Sequence, residues 1–390
     1  MASARQRILF LNHVSEISGA ERSLLDAVRH LDRGRFEPFA AVPRGGELPE
    51  LLAQADVRVR AVPLRRMRKT ANPVRLAGDL LNVAGVAAQL AGIIRRDRIA
   101  LVHANSNTAQ IYGGPAARLC GIPCVWHTRD LVGLGPFGRW LARTSDCTIA
   151  ISQCVRRHVA PWVRGPDKVR AIYNGIDTAR FAPRGVRPRV RAALGLPPEA
   201  PVLGMVAQMA PWKGHGAFIE AAARIAAARP DVRFVMAGAD LFNDHPDYVA
   251  GLQAKIAELG MTRTILLVGY TADAAALMES MDVLIHPAHR EPLGRVILEA
   301  MAMGKPVVAV NACGPAEIIR SGVDGILTAT GAPEELADAA LGLIGDRLLA
   351  GRIGAAARLR VQEAFDIRVT VREIESVYDD LLRERGARCA

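Results

Sequence analysis

Short, continuous apolar runs alternate with segments of helical periodicity almost from end to end of this 390-residue chain. No other feature restricts the fold as strongly. "RILFLNHV" opens as a strand, and "GAERSLLDAVRHL" follows with Leu24, Leu25, Val28 and Leu31 on one helical face. "FAAVP" and "LPELLAQA" repeat the pair, and "ALVHANS", "PCVWHT" and "CTIAIS" are further strands. Strands that are apolar throughout are buried on both faces, so the rhythm predicts α/β parallel sheets covered by helices on two sides.

The rhythm pauses once, at Val169–Val190, where Gly, Pro and Arg accumulate. A second strand–helix series follows, including "PVLGMVAQ", "VRFVMAG", "TILLVG", "VLIHPA" and "PVVAV". The chain is too long for one ordinary core. The expectation is two Rossmann-like domains facing a central cleft, residues 1–180 and 181–367, with a helix at about 368–390 packing back on the first. Open parallel sheets bind ligands beyond the C-terminal ends of their strands, so those ends should hold the site.

Charge is uneven. Residues 1–180 carry 27 Lys+Arg against 14 Asp+Glu, so the formal net charge of +11 belongs to the first half. The densest part, Arg58–Arg75, has seven basic residues and no acid. It suits an anionic surface or substrate, with a solvated basic loop as the plain alternative. Nucleic acid is disfavoured, because no aromatic residue interleaves with these charges. "LLNVAGVAAQLAGII" (Leu80–Ile94) is read as a buried helix too short to span a bilayer. No signal-peptide pattern is read at the N-terminus. The six cysteines show neither paired spacing nor a Cys-x-x-Cys with His, which fits a cytoplasmic protein.

The candidate chemistry lies in the turns after strands. Gly19 stands just before the first helix, and no GxGxxG accompanies it, which disfavours a nicotinamide dinucleotide enzyme. In "MAPWKGHGAF", Lys213 precedes a helix start, where an ammonium and the helix N-terminus would together neutralise a diphosphate. In "HREPLGRVILEAMAMGKPVVAV", Glu291 sits in a strand-end loop and Gly294 exposes the next helix start. Glu299 falls in that helix's second turn among Ile297, Leu298, Ala300 and Met301. A buried carboxylate needs partners. Ribose hydroxyls are one set, and an i,i+4 surface salt bridge with Arg295 is the other.

These motifs, in order, resemble a retaining glycosyltransferase of family 4 with the GT-B fold. "EPLGRVILEAMAMGKPVVAV" resembles that family's E-x7-E signature, "APWKGH" its diphosphate lysine motif and "YNGIDTARFAP" its interdomain segment. "SGAERSLLDAV" resembles its glycine loop, and "VWHTRD" the segment with its histidine. The resemblance implies that Glu291 faces the transferred sugar, the backbone at Leu293 and Gly294 holds the diphosphate, and Glu299 receives the ribose. Lys213 would stabilise the leaving nucleoside diphosphate, His127 would lie across the cleft near the donor sugar and the diphosphate, and Gly19 near the diphosphate or the acceptor. Val268, Gly269 and Tyr270 would meet the base. Ser18, His103, Asn105 and Arg129 are assigned to the acceptor side.

The chain departs from the family pattern twice. Gln208 stands where an arginine is common, so Arg295 is expected to share the phosphate load. Ser18 replaces a glycine and slightly narrows the turn. The activity implied is transfer from a UDP- or GDP-sugar to a hydroxyl, with retention and with neither metal nor cofactor. A lipid-linked acceptor and peripheral contact with an anionic membrane are expected from the basic first half. A nucleoside-diphosphate-sugar 2-epimerase and a degenerate sugar-nucleotide-binding subunit stay open as alternatives.

Overall fold

The computed structural model describes residues 5–66, 72–241 and 243–389. The chain divides into two compact units, Met1–Gly175 with Ile367–Ala390, and Ile176–Asp366. The first unit holds strands β1 (Gln6–Leu11), β2 (Phe36–Val42), β3 (Arg58–Ala61), β4 (Leu101–Ala104), β5 (Cys124–Thr128), β6 (Cys147–Ala150) and β7 (Val169–Ala171). They form one parallel sheet in the order β3-β2-β1-β4-β5-β6-β7. The second unit holds β8 (Val202–Val206), β9 (Arg233–Ala237), β10 (Ile265–Gly269), β11 (Val283–His286), β12 (Val307–Val310) and β13 (Ile326–Thr328). Their order, again parallel, is β10-β9-β8-β11-β12-β13. Each sheet therefore reverses its winding beside its own first strand, between β1 and β4 and between β8 and β11. At such a reversal the crossovers depart on opposite faces and a ligand crevice opens at the strand ends.

The strand β1 shows why these strands are apolar throughout. Leu9 and Leu11 enter a cluster with Leu90, Val102, Tyr112 and Trp126 on one face of the sheet. Ile8 and Phe10 enter a second cluster on the other face, with Leu24, Val28, Val125 and Ile149. That second cluster is completed by the helix Ile367–Cys389, which contributes Val371, Ile374, Val377 and Tyr378 at helical spacing. The division between units falls five residues earlier than the sequence suggested. Ile176 pairs with Asp366, and the Thr178 hydroxyl donates to the Asp366 carboxylate at 2.5 Å, which ties residues 176–180 to the second unit. Ile367 opens the helix of the first.

Two expectations are corrected. Part of the basic stretch is the edge strand β3, and two of its arginines are already paired, Arg58 with Glu37 at 3.2 Å and Arg60 with Asp97 at 2.8 Å. Arg68 and Lys69 lie outside the described residues, as does the Arg75 side chain. The apolar run belongs to a longer helix, Pro73–Arg96, whose segment Ala77–Arg96 has the length and composition to cross a membrane. It is not a buried helix: Leu90 and Ile94 are in the core, but Leu80 is 62% and Leu81 75% exposed. Both faces are rich in Ala, Gly and Leu, so periodicity could not say which one is wet. The free thiols of Cys124 and Cys147 are buried. Burial pushes the first well up and the second to about 12, which makes both inert at neutral pH.

Candidate active site

In the second unit, β8 delivers Gln208 and then a single 3-10 turn, Pro211–Lys213, ahead of the helix His215–Ala228. Gly214 caps that helix in the left-handed region, at φ 80°. A Cβ there would lie 2.5 Å from the Pro287 carbonyl oxygen, so only glycine lets this loop lie against the end of β11. The approach brings Lys213 to the neighbouring strand's loop. Its Nζ donates to Glu291 Oε2 at 2.6 Å, and the same oxygen lies 3.2 Å from His286 Nε2. Burial alone would raise the Glu291 pKa, and it is the largest single influence. The Lys213 ammonium and the His286 ring together outweigh it and hold the carboxyl well below the usual carboxylate range.

Beyond Glu291, the buried backbone at Leu293 leads to Gly294, at φ 99°, which caps the helix Arg295–Ala302. The first N–H groups of a helix have no intrahelical acceptor and attract anions. Glu299 is buried in the second turn, and the Arg295 guanidinium lies 3.6 Å from its Oε1. The pair exists but is long and mostly shielded, unlike a surface salt bridge. Gly269 lies at the end of β10 with φ 73°, beside Val268, and Tyr270 beyond them is 47% exposed. The Gln208 side chain makes no hydrogen bond among the described residues.

The first unit presents a continuous polar network at the ends of β1, β4 and β5. Ser18 caps the helix Gly19–His30; its N–H donates to Glu21 Oε2 at 3.2 Å and its hydroxyl to the same oxygen. Gly19 is the exposed first residue of that helix. Asn12 donates to Glu21 Oε1 at 2.9 Å, and Asn105 donates to Asn12 at 2.9 Å. Arg129 donates to the Asn105 side-chain oxygen at 2.6 Å and to His127 Nδ1 at 3.3 Å. His103 Nε2 lies 3.0 Å from that same Nδ1, and Tyr378 Oη lies 2.6 Å from His103 Nδ1. His127 Nε2 is buried and has no partner among the described residues. Burial first, then the Arg129 charge, lowers the pKa of both rings, that of His103 to about 3.

Sequence reasoning missed several members. His286 ends β11 and touches Glu291; its position five residues before that carboxylate, at a strand end, was the available signal. Gly314 was invisible. A Cβ on it would lie 2.2 Å from Leu293 Cα, and its N–H donates to the Glu291 carbonyl at 3.1 Å, so it clamps the Glu291–Gly294 loop. Asn12, Glu21 and Tyr378 joined the network only once the topology was known. Among the described residues no group of three or more His, Cys, Asp or Glu side chains has metal-site geometry.

Two Rossmann-like units, each with a polar cluster at its own winding reversal and a lysine–carboxylate pair in the second, are the architecture of the GT-B class. The comparisons with known proteins agree. Residues 186–360 match the family described as glycosyl transferases group 1, and residues 17–180 match glycosyltransferase family 4. The chain is 31% identical over 299 residues to alpha-maltose-1-phosphate synthase of Mycobacterium tuberculosis, covering 68% of this chain and 75% of that protein. It is 26% identical over 387 residues to the Escherichia coli UDP-Gal:alpha-D-GlcNAc-diphosphoundecaprenol alpha-1,3-galactosyltransferase, covering 94% and 95%. The structure of Anabaena HepE in complex with UDP-glucose superposes with a TM-score of 0.83 at 28% identity, covering 96% of this chain and all of that one. The chain belongs to glycosyltransferase family 4. It transfers a sugar from a nucleotide-sugar donor, and the epimerase alternative finds no support among these relatives.

Proposed function

We propose that this glycosyltransferase moves a hexose from a UDP-sugar to a hydroxyl of a lipid-linked acceptor, with retention at the anomeric carbon and without a metal or cofactor. The observation that carries the reading is the Lys213–Glu291–His286 cluster beside the Gly294 helix start. It sets a cation and a helix N-terminus where a diphosphate's charge would develop, next to a carboxylate held ionised to accept hydrogen bonds from sugar hydroxyls. In the ligand-free chain Lys213 is neutralised by Glu291. A diphosphate therefore shares an existing ion pair, and the ammonium gains most as negative charge grows on the leaving group. Arg295 opens that helix and Glu299 lies one helical turn further on, at a span that suits ribose. Neutral Gln208 leaves Lys213, the helix start and Arg295 to balance the phosphates.

In the step itself, the acceptor oxygen bonds to the anomeric carbon on the face that the phosphate leaves. The carbon–phosphate oxygen bond breaks, and the acceptor's proton passes to the departing phosphate oxygen. The preference for UDP follows from the relatives, one solved with UDP-glucose and one named for UDP-galactose and a diphosphoundecaprenol-linked acceptor. A lipid-linked acceptor also fits the first unit's surface. From Ala77 to Ile94 the half-buried helix carries one charged residue, Asp79, while Arg95, Arg96 and Arg118 stand nearby. An apolar groove of about 510 Å³ runs between this helix and Pro115–Leu119. We place peripheral contact with an anionic, cytoplasm-facing membrane there.

Thermal shift against a panel of UDP- and GDP-sugars, followed by turnover of the strongest stabiliser with a polyprenyl-diphosphate sugar, tests the reading. A ligand at a hundred times its Kd adds about 2.7 kcal/mol of stability. Stabilisation by UDP-sugars and transfer with retained anomeric configuration are expected. Inverted product, or turnover that disappears with a chelator and returns with a divalent ion, would overturn the corresponding part.

A further inference from the structure

We propose that Tyr378 and His103 are positioning residues that fix the proton of His127 on Nε2, so that His127 meets its ligand as a hydrogen-bond donor and not as a base. This rests on the reading of the first unit's strand ends as part of the transferase site.

Guanidinium groups only donate. Arg129 lies 3.3 Å from His127 Nδ1, so that nitrogen accepts. Both imidazoles are neutral, because burial and the Arg129 charge disfavour the cations. A neutral ring with a bare Nδ1 carries its proton on Nε2, which is the buried atom with no partner among the described residues. His103 Nε2 faces the same accepting Nδ1 at 3.0 Å, so it donates. Its own Nδ1 is then bare and accepts a hydrogen bond from the Tyr378 hydroxyl, 2.6 Å away. Burial, then the Glu375 carboxylate, raises the Tyr378 pKa well above its ordinary value, which keeps that hydroxyl a donor. Each link sets the next, in the order Tyr378, His103, His127, with Arg129 enforcing the last. Packing holds the rings in place: His103 stacks at a tilt on Phe10 and on His127, with centroids 5.2 Å apart in both pairs.

The chemistry follows from the tautomer. An Nε2–H suits an oxygen that accepts, such as a phosphate or a sugar hydroxyl, and it cannot remove a proton from the acceptor alcohol. Tyr378 comes from the helix Ile367–Cys389, so an element distant in sequence controls a site residue.

Nitrogen-15 NMR of histidine-labelled, substrate-free protein reads the tautomers directly. The wild type should show His103 and His127 as neutral Nε2–H rings. Tyr378→Phe deletes only the hydroxyl and should let His103 populate the Nδ1–H form. It should also lower kcat/KM about two- to tenfold, the effect of losing one hydrogen bond. A wild-type His127 protonated at Nδ1, or a Tyr378→Phe spectrum identical to the wild type's, overturns the proposal. Full turnover by His127→Ala instead overturns the placement of His127 in the site. The two failures are distinct because the spectra are recorded without substrate.

Discussion

Lys213 and Glu291 depend on each other before any substrate arrives. Lys213→Ala removes the charge that offsets a buried carboxylate. It should lower turnover about a hundred- to a thousandfold and destabilise the fold by about 3–5 kcal/mol, measured by denaturant unfolding. Lys213→Ala with Glu291→Gln should recover much of the stability and none of the activity; equal instability of the single and double variants would show that the pair is not coupled. Four histidines govern the pH response. Burial lowers the pKa of His13 and His215 to about 4, of His103 to about 3, and of His127 well below its ordinary value. Below pH of about 6.5 the unfolded chain binds protons that the folded chain refuses, so stability falls with pH, by about 1.4 kcal/mol per pH unit for each such histidine. The loss continues to the lowered values and then levels off. A denaturation midpoint that stays flat from pH 7 to 5 would contradict it. Residue chemistry was legible in the sequence where it was local. Lys213, Glu291, Gly294 and Glu299 sit in motifs with fixed spacing. Gly314 and Tyr378 act through contacts made by topology, and nothing local marks them, while His286 was signalled only by its place at a strand end five residues before Glu291.

At the scale of elements, the loops that present the site rely on glycine for close approach. Gly214→Ala combines a left-handed backbone with a Cβ 2.5 Å from the Pro287 carbonyl oxygen. It should cost about 2–4 kcal/mol and displace Lys213. Gly251 lies inside the helix Pro246–Glu258 with open space around it, so Gly251→Ala should stabilise by up to about 1 kcal/mol. Chemical denaturation of the two variants separates a packing glycine from a dispensable one. The helix Pro73–Arg96 makes a different prediction. Leu80→Glu with Leu81→Glu should leave the melting temperature unchanged and abolish sedimentation with anionic vesicles at low salt. Unaltered sedimentation would remove this helix from the membrane contact. Strand–helix alternation was readable from residue types alone. The order of the strands, and hence the coincidence of Lys213, His286 and Glu291 at one winding reversal, was not, because crossovers leave no local signature.

The whole molecule is two sheets of equivalent winding, and the first of them is completed from outside its own stretch of sequence. Removing residues 367–390 would uncover Leu24, Val28 and Phe36, which pack with Val371, Ile374 and Tyr378. Limited proteolysis of a chain ended at Asp366 should therefore degrade the first unit quickly and leave a stable fragment near 176–366. Equal resistance of both units would show that the helix is an accessory. During synthesis the same connectivity imposes a schedule. The ribosome releases the first sheet early, yet its second core face cannot close until the entire second unit has been translated. A chain that stalls or is cut within that unit lacks both a sealed first unit and the Tyr378 hydroxyl that lies against His103. Closure of the first core thus waits on the helix Ile367–Cys389, which the ribosome makes only after the second unit.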